Sequence, residues 1–101
     1  GRPVAEAFAA HARVMAGRAY RHARMNACGY SLGTTYAPNW MDWPMLYHAN
    51  PVVLEPGMVF FCHMIVFDSP ANLAMAGGRT SLVTAGAAES LSRSSLDFSV
   101  K

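Results

Sequence analysis

Residues 54–67 read LEPGMVFFCHMIVF, a tight turn followed by ten residues that are apolar apart from one histidine. Pro56 presets the backbone for the first corner of a turn, and Gly57 accepts the positive φ that the second corner needs. Residues 58–67 have the length of a strand. Apart from His63, the residues that would face either side of a sheet are all apolar. The sequence therefore predicts a strand buried on both faces, with His63 in its middle.

Downstream of this strand the sequence predicts three more short strands. The turn residues at 68–70 end the first strand, and residues 73–75 and 80–84 have strand composition. Gly77 and Gly78 between them predict a hairpin turn. Residues 89–92 predict a last, short edge strand.

Upstream, residues 3–16 predict an amphipathic helix, because apolar residues recur at spacings of three and four. Pro3 suits the first helical turn, where its missing N–H group costs nothing. Gly17 is predicted to end the helix in a left-handed conformation.

Between the helix and the long strand, residues 28–33 predict a glycine-flanked turn and residues 37–44 an aromatic, proline-rich loop. Pro38 and Pro44 exclude a helix interior or a central strand there. A loop with two tryptophans is unusual, and we expect it to pack under another element or to line a pocket.

The composition indicates that some apolar surface meets another part of a longer chain or a partner subunit. Of the 101 residues, 52% are hydrophobic and 14% charged, whereas about 25% is typical for charged residues. This composition is too apolar for a disordered chain. It also leaves few polar side chains to cover the surface of a small body.

Charge and cysteine content exclude several classes of partner. No run of apolar residues is long enough to span a membrane. Cys28 and Cys62 form no CxxC spacing, so we expect reduced thiols in a cytoplasmic protein. Arginines crowd the first quarter of the chain, but they are spaced like the solvated side of a helix without an aromatic stacking platform, so we expect no nucleic-acid partner. These arginines are Arg2, Arg13, Arg18, Arg21 and Arg24.

Three segments resemble the creatinase / Xaa-Pro aminopeptidase / methionine aminopeptidase family. Residues 29–33 resemble its G-H-x-x-G segment, and residues 54–60 resemble its signature turn and strand. Residues 80–84, with Glu89 and Leu91 beyond, resemble its closing hairpin. The resemblance implies an α+β fold, part of a pita-bread fold, in which an N-terminal helix packs on a curved antiparallel sheet. It also implies that residues 1–101 are a C-terminal segment whose upstream half is absent.

The resemblance implies a divalent-metal hydrolase, and this sequence departs from that pattern. The family commonly holds two metals through two aspartates, which would lie upstream, and through one histidine and two glutamates. Here Tyr30 stands at the histidine position, His63 at the first glutamate, and Gly78 (or Gly77) at the second. Only histidine among these is an ordinary ligand for a transition metal. We therefore expect a degraded dinuclear site, in which His63 is the one plausible metal ligand.

His63 and Tyr30 are the candidate catalytic residues. A histidine in an apolar strand can act as an acid–base group or as a single metal ligand. The alternative is a core histidine satisfied by a backbone or tyrosine partner. Tyr30 can stabilise an oxyanion or bind a substrate carboxylate, and its alternative role is packing.

Five further residues are candidates for substrate binding. Tyr36 can donate a hydrogen bond to a substrate. Trp40, Asp42 and Trp43 combine two indole faces with a carboxylate, a set that suits a cationic ligand, although a packed loop with an Asx-type turn at Asp42 is the alternative. Arg79 can bind a substrate carboxylate as a fork, or form a surface salt bridge instead.

These residues lead to one functional hypothesis with two alternatives. The chain is interpreted as part of a hydrolase that acts on a C–N bond of a small molecule or short peptide, similar to creatinase or ectoine hydrolase. The alternatives are a lyase acting on a small zwitterion such as dimethylsulfoniopropionate, and a non-catalytic paralogue kept for binding or assembly. We expect the 101 residues alone to be inactive. The resemblance also implies a homodimer in the intact protein.

Overall fold

The structure, a computed structural model, describes residues 1–33, 35–36 and 38–97. One helix precedes five strands that form a single antiparallel sheet in the order β2-β1-β3-β4-β5. The expected α+β fold, with an N-terminal helix packed on an antiparallel sheet, is confirmed. The elements are α1 (Val4–Gly17), β1 (Ala27–Ser31), β2 (Asp42–Tyr47), β3 (Val59–Asp68), β4 (Leu73–Leu82) and β5 (Glu89–Ser90).

Helix α1 covers one face of the sheet and forms the core with it. Val4 and Phe8 of the helix pack with Cys28, Leu46 and Phe60, and all five side chains are buried. Burial of a valine or phenylalanine side chain contributes about 1.5–3 kcal/mol, which is enough to hold a helix that has no side-chain cap. The spacing of apolar residues thus predicted this helix correctly.

The predicted end of the helix is wrong in one detail. Gly17 is the last helical residue and does not adopt a positive φ, whereas Ala19 does, at 61°. The backbone N–H of Tyr20 donates to the carbonyl of Met15 and closes this end of the helix. The reversal therefore falls two residues later than the glycine suggested.

Asn50 ties the start of the helix to the end of β2. Its side chain is fully buried, its Nδ2 donates to the Met45 carbonyl at 2.7 Å, and its Oδ1 accepts from the Val52 N–H at 3.1 Å. The Asn50 carbonyl in turn accepts from the Ala5 N–H in the first turn of α1. Because both the donor and the acceptor of this buried side-chain amide have hydrogen-bond partners, Asn50 fixes the segment after β2 against the start of α1.

Strand β3 lies where the sequence predicted it, after the predicted turn. Gly57 has a φ of 97°, and the Met58 N–H donates to the Glu55 carbonyl at 3.2 Å. Burial on both faces, however, is wrong, because Phe67 is 56% exposed. Strand β1 pairs only with residues 60–62, so the far half of the β3–β4 hairpin extends beyond the rest of the described sheet.

The predicted hairpin turn at Gly77 and Gly78 is also wrong. Both glycines lie inside β4, which runs unbroken from Leu73 to Leu82. The chain reverses at residues 69–72 instead, where Asn72 adopts a φ of 52° and its N–H donates to the Ser69 carbonyl at 3.0 Å.

Residues 27–31, predicted mainly as a turn, form the central strand β1 between β2 and β3. The aromatic loop is shorter than predicted, because β2 begins at Asp42 and includes Pro44. Strand β2 is an edge strand, which is where a sheet tolerates proline. Ala37, in the predicted loop, lies outside the described residues. No helix in the described ranges has the length and apolar character needed to cross a membrane.

Candidate functional site

A large cleft opens at the end of the sheet where β1 begins, and side chains from both faces of the sheet line it. Its volume is about 1250 Å³, and α1, residues 21–27 and strands β1, β2 and β3 contribute its walls. We call it the α1–β1 cleft. Its polar side chains are Arg13, Arg21, Arg24, Asn26, Tyr30, Tyr47, His48 and His63.

Tyr30 and His63, the two candidate catalytic residues, both line this cleft and contact one another. Tyr30 pairs with Phe61 across β1 and β3, and His63 lies two residues further along the same face of β3. The ring centroids are 6.1 Å apart for Tyr30 and His63, and 5.2 Å apart for Phe61 and His63. This face is opposite the one on which Phe60 packs against the helix. The sheet therefore gathers one imidazole and one phenol into an aromatic cluster.

The hydrogen bonds of this pair leave their polar atoms available. The Trp40 indole Nε1 donates to the Tyr30 hydroxyl oxygen at 3.0 Å, so the tyrosine's own O–H remains free to donate. His63 makes no hydrogen bond with another residue in the part of the chain that the structure describes, and its nitrogens are not among the buried, unsatisfied atoms. The alternative of a core histidine satisfied by a tyrosine or backbone partner is therefore not what this geometry shows.

Gly78 lies directly opposite His63 in the β3–β4 ladder. The three positions at which the resemblance places metal ligands, Tyr30, His63 and Gly78, thus meet on one face. A side chain at Gly78 would collide with the Phe61 ring, whose Cε1, Cε2 and Cζ atoms occupy that space. Within residues 1–33, 35–36 and 38–97, no group of three His, Cys, Asp or Glu side chains could hold a metal ion. These residues do not fit the dinuclear centre that the resemblance implies, because an aromatic ring fills the place expected for one carboxylate and a phenol stands where an imidazole is expected.

The tryptophan loop does not form a cage for a cation. Trp40 is 63% exposed, and its indole is oriented by the hydrogen bond to Tyr30. The Trp43 ring packs instead on Tyr47, with 6.0 Å between the ring centroids. The Asp42 Oδ1 accepts from the Trp43 N–H at 2.8 Å. Tyr36, at 78% exposure, contributes nothing to the walls of the cleft. Of this predicted binding set, Trp40 alone contacts a candidate catalytic residue.

Arg79 lies on the other face of the sheet from His63. It pairs with Cys62, the neighbour of His63, and successive residues of a strand point to opposite faces. Its Nη2 donates to the Ser94 carbonyl at 3.2 Å, and it does not line the cleft. In this arrangement Arg79 holds the segment after β5 and is separated from Tyr30 and His63 by the sheet.

The two cysteines are free thiols on the helix side of the sheet. Burial raises the pKa of the Cys28 thiol to about 11, and the nearby Cys62 adds to that rise. Burial also raises the pKa of Cys62, which a hydrogen bond from Ser81 partly offsets. Both thiols are therefore protonated near neutral pH.

We expect both cysteines to react slowly with a thiol reagent at pH 8 in the folded protein. The thiolate is the reactive species, and a raised pKa lowers its fraction. Labelling with iodoacetamide, followed by mass spectrometry, should show at least about a tenfold slower reaction of Cys28 than in 6 M guanidinium, since each pKa unit removes roughly a factor of ten. Cys62 should also react more slowly than in 6 M guanidinium. Equal rates in both conditions would contradict the burial described for Cys28.

Sequence reasoning missed the contribution of the arginines to this cleft. Arg13, Arg21 and Arg24 were assigned to a solvated surface because of their spacing. That spacing is compatible with a cleft wall, since a cleft is also a solvated surface. The sequence does carry one signal for it, because Glu6 is the only acidic residue among the first 25 residues. That imbalance was set aside in favour of the helical spacing.

The sequence matches no protein-family model and no curated protein. The structure is similar to the crystal structure of dipeptidase PepE from Mycobacterium ulcerans, with a TM-score of 0.83 and 20% sequence identity. The match covers 94% of this chain and 24% of that chain. At this identity the likeness shows the fold, and the chain spans about a quarter of the length of that peptidase.

Proposed function

We propose that this chain is part of a creatinase- or Xaa-Pro-peptidase-like hydrolase, acting on a C–N bond of a small molecule or short peptide without the conventional dinuclear centre. The observation that carries the proposal is the meeting of Tyr30, His63 and Gly78 on one face, beside a large cleft. The similarity to a structure named as a dipeptidase agrees with a hydrolase in general. A cytoplasmic location and a homodimer of the intact protein belong to the same proposal.

The chemistry available to this arrangement is acid–base catalysis. The His63 imidazole has two nitrogens without a described partner, so it can remove a proton from water and return it to a leaving nitrogen. The Tyr30 O–H, whose oxygen already accepts from Trp40, can donate to an oxygen that gains negative charge during the reaction. A small C–N substrate therefore needs only these two groups aligned on one side of it.

A second candidate function is binding without catalysis. The Phe61 ring occupies the space of a lost carboxylate, and the groups around it are mostly aromatic. An aromatic wall of this kind can bind an apolar ligand without catalysing a reaction on it. Elimination on a small zwitterion would use the same base, His63, so it is tested by the same assay.

The test is an assay of the full-length protein against Xaa-Pro dipeptides, creatine-like amidino acids and dimethylsulfoniopropionate, with and without a chelator. We expect C–N hydrolysis that the chelator leaves unchanged, and fewer than two metal ions per chain by elemental analysis. Two metals together with complete loss of activity in the chelator would contradict the degraded centre. Cleavage of dimethylsulfoniopropionate alone would favour the lyase, and binding without turnover the non-catalytic paralogue.

A further inference from the structure

Three arginines line the α1–β1 cleft, and among residues 1–33, 35–36 and 38–97 no acidic side chain lines it. Arg13 comes from α1, and Arg21 and Arg24 come from the segment that follows it. Within the described residues, none of the three forms an ion pair with a carboxylate. A cleft with low-dielectric walls and one sign of charge concentrates ligands of the opposite charge. Among the described residues, Arg2 forms an ion pair with Glu6, and the His22 Nε2 lies 3.2 Å from the Asp68 Oδ2.

Arg24 is held in place before any ligand arrives. Its guanidinium carbon lies 5.1 Å above the centre of the Phe8 ring, and its Nη1 donates to the Met25 carbonyl at 3.2 Å. Its Nε is buried, so a ligand in the cleft meets the terminal Nη1 and Nη2 groups instead. The contacts with Phe8 and Met25 orient these groups, which reduces the ordering that a ligand must bring about.

The charge of Arg24 also acts on its surroundings. Burial, and after it the charge of Arg24, lowers the pKa of His11 on the neighbouring face of α1.

The rest of the cleft is apolar and adaptable. Met25, Met41, Met45 and Ile65 line it together with the ring of Tyr47. Methionine side chains fit irregular apolar shapes because they are flexible and polarizable. A site with apolar walls and a few fixed polar groups is the usual form of a small-molecule site.

We propose that the α1–β1 cleft binds a carboxylate attached to an apolar body, with the carboxylate on the fork of Arg24 and with Arg13 and Arg21 adding charge. A planar, two-oxygen anion matches one side of a guanidinium with two parallel hydrogen bonds. The apolar body lies along the methionines towards Tyr30 and His63. This inference deepens the proposed function, and it rests on that function for the assumption that the same ligand reaches His63.

The test measures binding to the full-length protein by calorimetry with 3-phenylpropionate, its neutral amide and inorganic phosphate. We expect the carboxylate to bind at least about tenfold more tightly than the amide, since a charge-assisted fork is lost in the amide. Equal binding of the amide would overturn the proposal, and so would tighter binding of phosphate or of a short oligonucleotide.

Arginine variants locate the carboxylate. Arg24→Gln should weaken the binding of 3-phenylpropionate about tenfold or more, and the exposed pair Arg13→Gln with Arg21→Gln should weaken it several-fold. The double variant keeps the test valid even if Arg24→Gln fails to fold after losing its contact with Phe8. Arg18→Gln, at the helix end and outside the cleft, is the matched control and should bind normally. Binding of 3-phenylpropionate that is unchanged in the double variant would contradict the proposal.

His63→Ala separates this inference from the proposed function. If 3-phenylpropionate binds to the wild type and to His63→Ala alike while the wild type hydrolyses no C–N substrate, the carboxylate site stands and the hydrolase does not. If the arginine variants hydrolyse substrates with the same KM as the wild type, the hydrolase stands and the carboxylate site does not.

Discussion

His63→Ala is expected to lower kcat/KM of the full-length protein by about 10²- to 10⁴-fold, the usual effect of removing a general acid–base group. Among the described residues of the Tyr30, Phe61 and Gly78 face, His63 is the side chain whose nitrogens can accept a proton and return it to a substrate. Steady-state kinetics on the best C–N substrate measures the loss.

Two comparisons guard this prediction against a purely structural effect. His63→Gln keeps the volume and polarity of the side chain but cannot transfer a proton, so it should lose as much activity while its Tm stays close to that of the wild type. His48→Ala removes another histidine of the same cleft, which packs near Phe8 at 6.3 Å, and should retain most of the activity. Near-normal kcat/KM in His63→Gln would remove His63 from the mechanism.

Gly29→Ala is expected to destabilise the protein by about 3–5 kcal/mol. A Cβ at this position would collide with the backbone carbonyl oxygen of Phe61, and would lie 2.9 Å from the Leu46 Cδ1. Gly29 also has a φ of 156°, which other residues rarely adopt. Unfavourable backbone angles cost about 1–3 kcal/mol and overpacking costs about as much again. Chemical denaturation monitored by tryptophan fluorescence measures the change.

Glycines of β4 give matched controls for Gly29→Ala. Gly77→Ala meets nothing within 4 Å and should change the free energy of unfolding by less than about 0.5 kcal/mol. Gly78→Ala should lie between the two, because it meets the Phe61 ring, which can move more easily than a backbone carbonyl. The destabilisation at Gly78 should shrink when Phe61→Leu is introduced as well. An unfolding free energy of Gly29→Ala equal to that of Gly77→Ala would contradict the close approach of β1 and β3.

The helix and the turn before β3 were predictable because local chemistry sets both. The spacing of Val4 and Phe8 defines one apolar side of a helix, whatever the helix packs against. Pro56 and Gly57 satisfy the two corners of a turn by their own backbone preferences. These features depend on neighbours in the sequence, so the sequence alone is sufficient for them.

The glycines at 29 and 78 were misread because their reasons lie in distant residues. Glycine next to glycine usually marks a turn, but Gly78 is a glycine because the ring of Phe61 covers it. Gly29 is a glycine because the backbone of β3 passes close to it. Neither contact leaves a local pattern, and the same holds for the placement of Arg24 on Phe8, 16 residues away. The resemblance suggested that Tyr30 and His63 belong to one site, whereas the periodicity of the sequence gave no sign of the contact between their rings.

The contact between Phe61 and Gly78 also constrains the order in which this protein can change. A glutamate introduced at position 78 alone would enter occupied space and destabilise the fold. A smaller residue at position 61 would make room for it, but that step by itself leaves a void. Introducing an acidic group here therefore passes through a less stable intermediate, so the two sites are expected to covary among relatives rather than to vary independently.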